Sequence, residues 1–241
     1  MDVHPPHGPL HHWKDFWIHL GTISIGLLIA ISLEQSVEWV HHLHQRHQLE
    51  KDFREEAAKN KDLIDQDTGY LKGSVAQTEA QRKIAEQAKA VDGVVTFTLP
   101  DMPEPGFYVA PSRVVWVTAR EGAMIDLLPA QEARMFSRVD YEAQYYEGTF
   151  AKFTDVRLRL STLSREFSID GEDGSSVWKM PAAQRDAFVE LTAEYAALDE
   201  AVAHRLRLLK WADEEILGGA HDLDEMMRGI NRRVAEARRK K

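Results

Sequence analysis

One run of 18 residues without a charged side chain, Phe16 to Leu33, restricts this 241-residue chain more than any other feature. Asp15 and Glu34 bracket the run, although charged residues make up 29% of the whole chain. At about 1.5 Å per residue, a helix over this run is roughly 27 Å long, close to the hydrocarbon core of a bilayer. The run therefore predicts a single transmembrane helix over residues 16–33.

Three tryptophans support this prediction, because Trp13, Trp17 and Trp39 lie near the ends of the run, where indoles favour the headgroup region. A buried core helix and a cleaved signal peptide are the alternatives, and residues 30–32 offer a small-x-small cleavage pattern. A signal-peptide core is normally about 7–15 residues long, shorter than this run. We therefore expect an anchor that is retained in the mature protein.

The bulk composition narrows the classes of function. A net charge of -9 argues against a nucleic-acid partner, and the one basic run, residues 228–241, has the pattern of a solvated helical tail. Contact of this tail with anionic lipid or a partner is the alternative. The absence of Cys excludes disulfides, thiolate nucleophiles and Cys-ligated metals. The 44% hydrophobic content is sufficient for a folded domain outside the membrane.

A helical pattern continues beyond the span, after an irregular tail that is rich in His and Pro. Residues 34–67 contain no Pro or Gly, and their periodic positions are Leu49, Phe53, Ala57, Asn60 and Ile64. Gly69 and Gly73 weaken this pattern, so a second helix is expected over residues 74–91. Residues 94–99 are β-prone and predict a small hairpin with residues 107–110.

Four further helices are predicted after residue 111. Ser112 is a candidate N-cap for a helix to about Leu128, and Pro129 and Pro181 fit the starts of two long helices. A polar last helix is expected over residues 222–241. The apolar stripe after Pro129 comprises Phe136, Val139, Ala143, Tyr146, Phe150, Phe153, Val156, Leu160, Leu163 and Phe167. The stripe after Pro181, spaced close to a heptad repeat, comprises Phe188, Leu191, Tyr195, Leu198, Val202, Leu206, Leu209 and Ile216.

The predicted fold class is therefore mainly all-α. We expect an irregular tail over residues 1–15, a transmembrane helix over 16–33 that continues into a long amphipathic helix, and an α-helical bundle within 34–241. At most one small β-hairpin is expected, near residues 94–110. Residues 170–176 resemble a calcium loop only superficially, because the acidic spacing is out of register, and they predict a plain turn.

Histidines cluster at both ends of the predicted span. Glu38 and His41 have the i, i+3 spacing with which helical bundles hold metals, Glu34 lies one turn earlier, and His44 is a further weak metal candidate. Solvation at a wet interface and pH sensing are the alternatives to metal binding. The histidines concerned are His4, His7, His11 and His12 on one side, and His41, His42, His44 and His47 on the other.

Thr22, Gly26 and Ala30 form a line of small residues four apart within the span. Such a line lets a second helix approach closely, and close packing drives helix association in lipid. We therefore expect these three residues to form a homo-oligomer interface.

No catalytic or cofactor motif is found in the sequence. It contains no phosphate loop, dinucleotide fingerprint, nucleophile elbow or HExxH motif. We therefore expect no enzyme activity, no cofactor and no small-molecule substrate. A lower-ranked alternative to a non-catalytic function is an oligomeric metal-dependent enzyme that uses Glu34, Glu38 and His41 from several chains.

The motif TIxIGLLIAxxLE, found at residues 22–34, resembles the span of uncharacterised bacterial single-pass membrane protein families, and Trp116, Gly122, Leu128 and Tyr141 resemble a looser pattern in those families. The resemblance is specific at residues 16–47. It implies a helical domain on the outer side of the inner membrane, with no assigned activity.

Counting basic residues gives the opposite orientation. One basic residue, Lys14, precedes the span, whereas Arg46, Lys51 and Arg54 follow it, which favours a cytoplasmic domain. We expect the outward-facing orientation, with the cytoplasmic one as the alternative. The expected function is that of an envelope scaffold or interaction protein, bound to membrane lipid and to itself. A pH- or metal-responsive regulator that uses the juxtamembrane histidines is the first alternative.

Overall fold

The computed structural model describes residues 13–100, 110–171 and 174–239; the side chains of residues 15, 67–75 and 170 are not described. The chain divides into two compact units, Met1–Gln48 and Leu49–Lys241. This boundary lies later than the predicted division after residue 33.

Helices dominate the described residues, which confirms the mainly all-α fold class. The helices are α1 (Trp13–Gln87), α2 (Val114–Glu121), a 3₁₀ helix (Met124–Leu127), α3 (Ala130–Phe167), α4 (Ala182–Leu217) and α5 (Leu223–Arg239). The strands are β1 (Ala90–Val91), β2 (Val94–Leu99), β3 (Ser168–Asp170) and β4 (Ser176–Pro181).

Two boundaries of α1 differ from the prediction. The helix begins at Trp13, so the last three residues of the expected irregular tail are helical, and residues 1–12 lie outside the described part. It also continues through Gly69 and Gly73, where a break was expected. A glycine costs a helix only about 1 kcal/mol relative to alanine, which packing on either side of it can offset.

Four antiparallel strands form one sheet in the order β1-β2-β4-β3, where the sequence predicts at most one hairpin. β2 pairs with β4 along its whole length, and on its other side only Val94 and Val95 pair with β1. The predicted partner of β2, residues 107–110, lies almost entirely outside the described residues. The expected turn over residues 170–176 connects β3 to β4, with residues 172–173 outside the description.

The sheet is held by a small aromatic cluster on its inner face. Phe97 of β2 lies opposite Trp178 of β4, with the two ring centroids 6.1 Å apart, and Phe188 of α4 packs 4.8 Å from Trp178. Alternate residues of β2 are buried, as expected of a sheet that is covered on one side only.

The bundle core follows the apolar stripes of α3 and α4. The predicted positions on both helices are buried or half-buried, and α1 adds Leu49, Phe53, Ala57 and Ile64 to the same cores. Pro129 and Pro181 immediately precede the two long helices, as predicted. This packing confirms the interpretation of the stripes as core-facing surfaces.

Candidate functional site

Residues 16–33 of α1 present apolar side chains on every side of the helix. All of the large apolar side chains in this stretch are between 40% and 69% exposed. Because consecutive helical residues are rotated by about 100°, they cover the whole circumference. Among the residues that the structure describes, one helix is thus long and apolar enough to cross a membrane, and no part of its apolar window is buried.

The predicted interface residues Thr22, Gly26 and Ala30 are all exposed on this stretch. A side chain added at Gly26 would meet no atom within 4 Å, so the surface above it is open. The Thr22 hydroxyl donates a hydrogen bond to the carbonyl of Ile18, at 2.9 Å. The line therefore satisfies its hydroxyl internally and leaves a shallow, small-residue surface.

The three tryptophans that were predicted to mark the membrane interface, Trp13, Trp17 and Trp39, are also exposed. Trp13 and Trp17 pack edge to face, with ring centroids 5.7 Å apart. An aromatic cluster at one end of an apolar segment is typical of the headgroup region.

The metal candidates Glu34, Glu38, His41 and His44 are exposed along α1, and the first three border one open stretch of its surface. No group of three or more His, Asp or Glu side chains is placed to hold a metal ion within the part of the chain that the structure describes. His4, His7, His11 and His12 lie outside that part. A metal site here would need ligands from further copies or from the undescribed tail.

A second polar site lies inside the bundle, where two side chains of α1 hold the segment before α2. Asn60 donates to the carbonyl of Ser112 at 2.9 Å and accepts from its amide at 2.7 Å. Glu56, one turn earlier, accepts hydrogen bonds from the Ser112 hydroxyl at 2.6 Å and the Val115 amide at 3.2 Å. The N-terminus of α2, where helix amides lack partners, is thus capped by a carboxylate of another helix.

The next residue, Arg113, joins this segment to α3. Its guanidinium donates to Asp140 at 2.7 Å and to Glu147 at 2.9 Å, and Gln144 also donates to Asp140, at 2.7 Å. The hydrogen bond to Asp140 raises the pKa of Arg113. Asp140 is therefore a buried carboxylate with two donors, one of them charged.

Asp213 of α4 is a buried carboxylate of the opposite kind. Asp213 is only 2% exposed, and no hydrogen bond to its side chain is found among residues 13–100, 110–171 and 174–239. Burial, followed by the nearby charges of Glu56 and Glu214, raises the pKa of Asp213 well above the ordinary value of 3.8. In chemical terms, this environment favours a neutral carboxylic acid over a carboxylate.

Asp213 and Glu56 line the same cavity, which has a volume of about 30 Å³ and mostly apolar walls. Phe53 and Phe136 stack beside it with ring centroids 3.8 Å apart. The cavity is large enough for about one water molecule and too small for an organic substrate.

Reasoning from the sequence missed this site, although one indication was present. Leu209 and Ile216 belong to the predicted stripe of α4, and Asp213 lies four residues after the first and three before the second. An acidic residue at such a core position is a candidate for a shifted pKa. Tyr141, which belongs with Trp116 to the looser family-like pattern, is 54% exposed, and its ring lies 5.4 Å from the Arg138 guanidinium.

Searches with this chain against protein-family models, curated proteins and solved structures give no match. The resemblance of residues 16–47 to uncharacterised membrane protein families stays a prediction.

Proposed function

We propose that this protein is a single-pass membrane-anchored, self-associating helical scaffold of the bacterial envelope. The observation that carries the proposal is the exposed, charge-free surface of residues 16–33. In water, so large an apolar surface would remain uncovered, and a lipid bilayer is the environment that covers it on every side.

Hydroxyl groups in and beside the span are compatible with lipid surroundings. Thr22, Ser32 and Ser36 each donate to the carbonyl four residues earlier, at 2.6–2.9 Å. Such back-bonding satisfies a polar group within its own helix, which matters in hydrocarbon, where no water can replace the bond.

Self-association is proposed through the line Thr22, Gly26 and Ala30. A small-residue line allows two helix backbones to approach closely, so that van der Waals contacts and interhelical hydrogen bonds can form. The open space above Gly26 is compatible with such an approach.

The experiment that tests this interface compares matched isoleucine substitutions in the full chain in detergent micelles. We expect Gly26→Ile and Ala30→Ile to reduce the oligomer to a monomer in density-matched analytical ultracentrifugation. Ser24→Ile adds similar bulk on the opposite face of the same helix and should leave the oligomer intact. A monomeric wild type, or equal masses for all three variants, would contradict the interface.

The outward orientation belongs to the same proposal and has its own test. Alkaline phosphatase fused to the C-terminus should be active in intact cells if the bundle faces outward, because the enzyme matures only outside the cytoplasm. An inactive fusion of normal abundance would instead indicate the cytoplasmic orientation that the basic residues favour.

The metal-dependent alternatives have a direct test in the same purified protein. They require stoichiometric metal that is lost when Glu34, Glu38 and His41 are replaced together. The scaffold proposal expects no such dependence, and unchanged oligomeric mass after the replacement.

A further inference from the structure

Asp213 differs from Asp140, which borders the same cavity, in how its charge is compensated. Asp140 accepts from Arg113 and Gln144, whereas no donor to Asp213 is found in the part of the chain that the structure describes. A buried carboxylate without a donor is several kcal/mol less stable as an ion than in water, so such groups normally hold a proton.

The charged groups around Asp213 do not provide a positive charge that would stabilise its carboxylate. Glu56 faces it from α1 and Glu214 follows it in α4, and both are acidic. Arg113, the cation that lines the cavity, is engaged by carboxylates of α3. Arg54 of α1 donates to the carbonyl of Ile216, at the end of α4. The described charges close to Asp213 therefore disfavour a second anion beside Glu56.

Glu56 also connects the charge of Asp213 to the position of the beginning of α2. Its carboxylate binds the Ser112 hydroxyl and the Val115 amide, so it fixes the beginning of α2 against α1. Trp116, the next residue of α2, lines the cavity and packs near Phe53, with ring centroids 6.4 Å apart. A repulsion that acts on Glu56 is thus transmitted to the start of α2.

We propose that the packing of helices around this cavity is controlled by the protonation of Asp213. With a proton on Asp213, α4 packs against α1 and residues 111–116. Loss of the proton places a second negative charge beside Glu56 and loosens the beginning of α2. All of the residues involved belong to the unit Leu49–Lys241, so the contact is independent of the membrane anchor.

The direction of the response follows from linkage. Because the pKa of Asp213 is raised in the folded state, the folded protein holds this proton more tightly than the unfolded chain does. The stability that results is fully present below the ordinary pKa of 3.8 and is lost as the pH rises through the raised, folded-state pKa. The contact therefore loosens on alkalinisation.

A fluorine label on tryptophan provides a local readout in the intact protein. The full chain, with its six tryptophans replaced by 5-fluorotryptophan, is titrated in detergent micelles and followed by ¹⁹F NMR. The Trp116 resonance is identified by its disappearance in Trp116→Phe. We expect this resonance to shift with pH in the wild type, with a midpoint well above the ordinary Asp pKa of 3.8.

Three variants decide whether Asp213 causes the shift. Asp213→Asn keeps the shape of the side chain and should abolish the titration, whereas Asp155→Asn, an exposed position on α3, should leave it unchanged. Glu56→Gln removes the neighbouring negative charge and should move the titration to lower pH. This variant also keeps the test decisive if Asp213→Asn does not fold.

The proposal is overturned if the Trp116 resonance does not titrate in the wild type, or if it titrates equally in Asp213→Asn. An unchanged midpoint in Glu56→Gln would overturn the part of the proposal that couples the two carboxyl groups.

Discussion

Two stretches of α1, residues 16–33 and residues 49–64, are both helical and use apolar residues in opposite ways. The first is apolar around its whole circumference, and none of its apolar window is buried. The second has one apolar stripe, and Leu49, Phe53 and Ile64 on that stripe are each no more than 5% exposed. The comparison shows that the number of apolar residues does not decide burial in protein. Their periodicity does, because only a stripe can be covered by neighbouring helices while the other face meets water.

The largest expected effect is on the apolar stretch. Replacing Ile25 and Ile29 together by Arg should oppose membrane insertion by about 5–7 kcal/mol, because each arginine at the centre of a span costs about 2.5–3.5 kcal/mol. When membrane vesicles are washed with carbonate, the double variant should be released into the supernatant, whereas the wild type should remain in the membrane pellet. The matched control, Val37→Arg with Val40→Arg, places the same charges beyond the span and should remain in the pellet.

Release of the wild type by carbonate would contradict the anchor itself. Retention of the double Arg variant in the membrane would instead show that residues 16–33 do not lie in hydrocarbon, and the distinction between the two stretches would fail.

A smaller effect is expected on the striped stretch. Phe53→Ala removes a ring that is 5% exposed and stacks on Phe136, so it should lower the free energy of unfolding by about 3–5 kcal/mol. The measurement is urea unfolding of the full chain in detergent micelles, followed by circular dichroism.

Phe16→Ala is the matched control, since it removes the same ring from the exposed stretch. Its effect on the unfolding of the bundle should stay within about 0.5 kcal/mol, as for surface positions in general. Equal losses in the two variants would show that periodicity does not separate the stretches as argued.

The same contrast explains which parts of the fold could be predicted from the sequence. The stripes of α3 and α4 were predicted correctly because a helix of about ten turns repeats its apolar pattern many times. The sheet was underestimated because its central pairing joins β2 to β4, which are about 80 residues apart, and no local pattern reports such a pair.

One local indication of the sheet was overlooked. Asp92 and Gly93, both with positive φ, form a two-residue turn between β1 and β2, and Asp-Gly is a strong hairpin dipeptide. The apolar run after it was instead paired with residues downstream. β1 has only two residues, too few to show the alternation that predicts a strand.

The polar site was harder to predict for a different reason. The sequence contains three consecutive acidic residues, Asp213, Glu214 and Glu215, which have the pattern of a solvated run. Only the packing of the neighbouring helices shows which of the three is buried. Glu214 and Glu215 both pair with Arg233 of α5, whereas Asp213 points to the core position of the stripe and is buried. Which member of a charged run is buried depends on neighbours that lie far away in the sequence.

The smallest expected effect concerns an exposed carboxylate, Asp65 at the end of the striped stretch. It accepts hydrogen bonds from Lys210 and, at 3.0 Å, from Lys61, and the bond from Lys210 is the main reason that its pKa lies below the ordinary 3.8. Its contribution to stability is therefore present above pH 3.8 and is lost as the pH falls through the lowered pKa. Because the Asp65 side chain is more than a third exposed, solvent screening keeps this contribution small.

The thermal unfolding midpoint of the full chain should accordingly fall slightly more on acidification in the wild type than in Asp65→Asn. Asp62→Asn, on the same helix but with a side chain 77% exposed, should keep the acid dependence of the wild type. This loss in acid is opposite in sign to the loss on alkalinisation expected from Asp213, because donors lower the pKa of Asp65 while burial raises that of Asp213. If Asp65→Asn and the wild type lost stability equally in acid, the link from Asp65 to Lys210 would contribute nothing measurable, and the packing of the apolar stripe would be left as the main attachment of this stretch of α1 to α4.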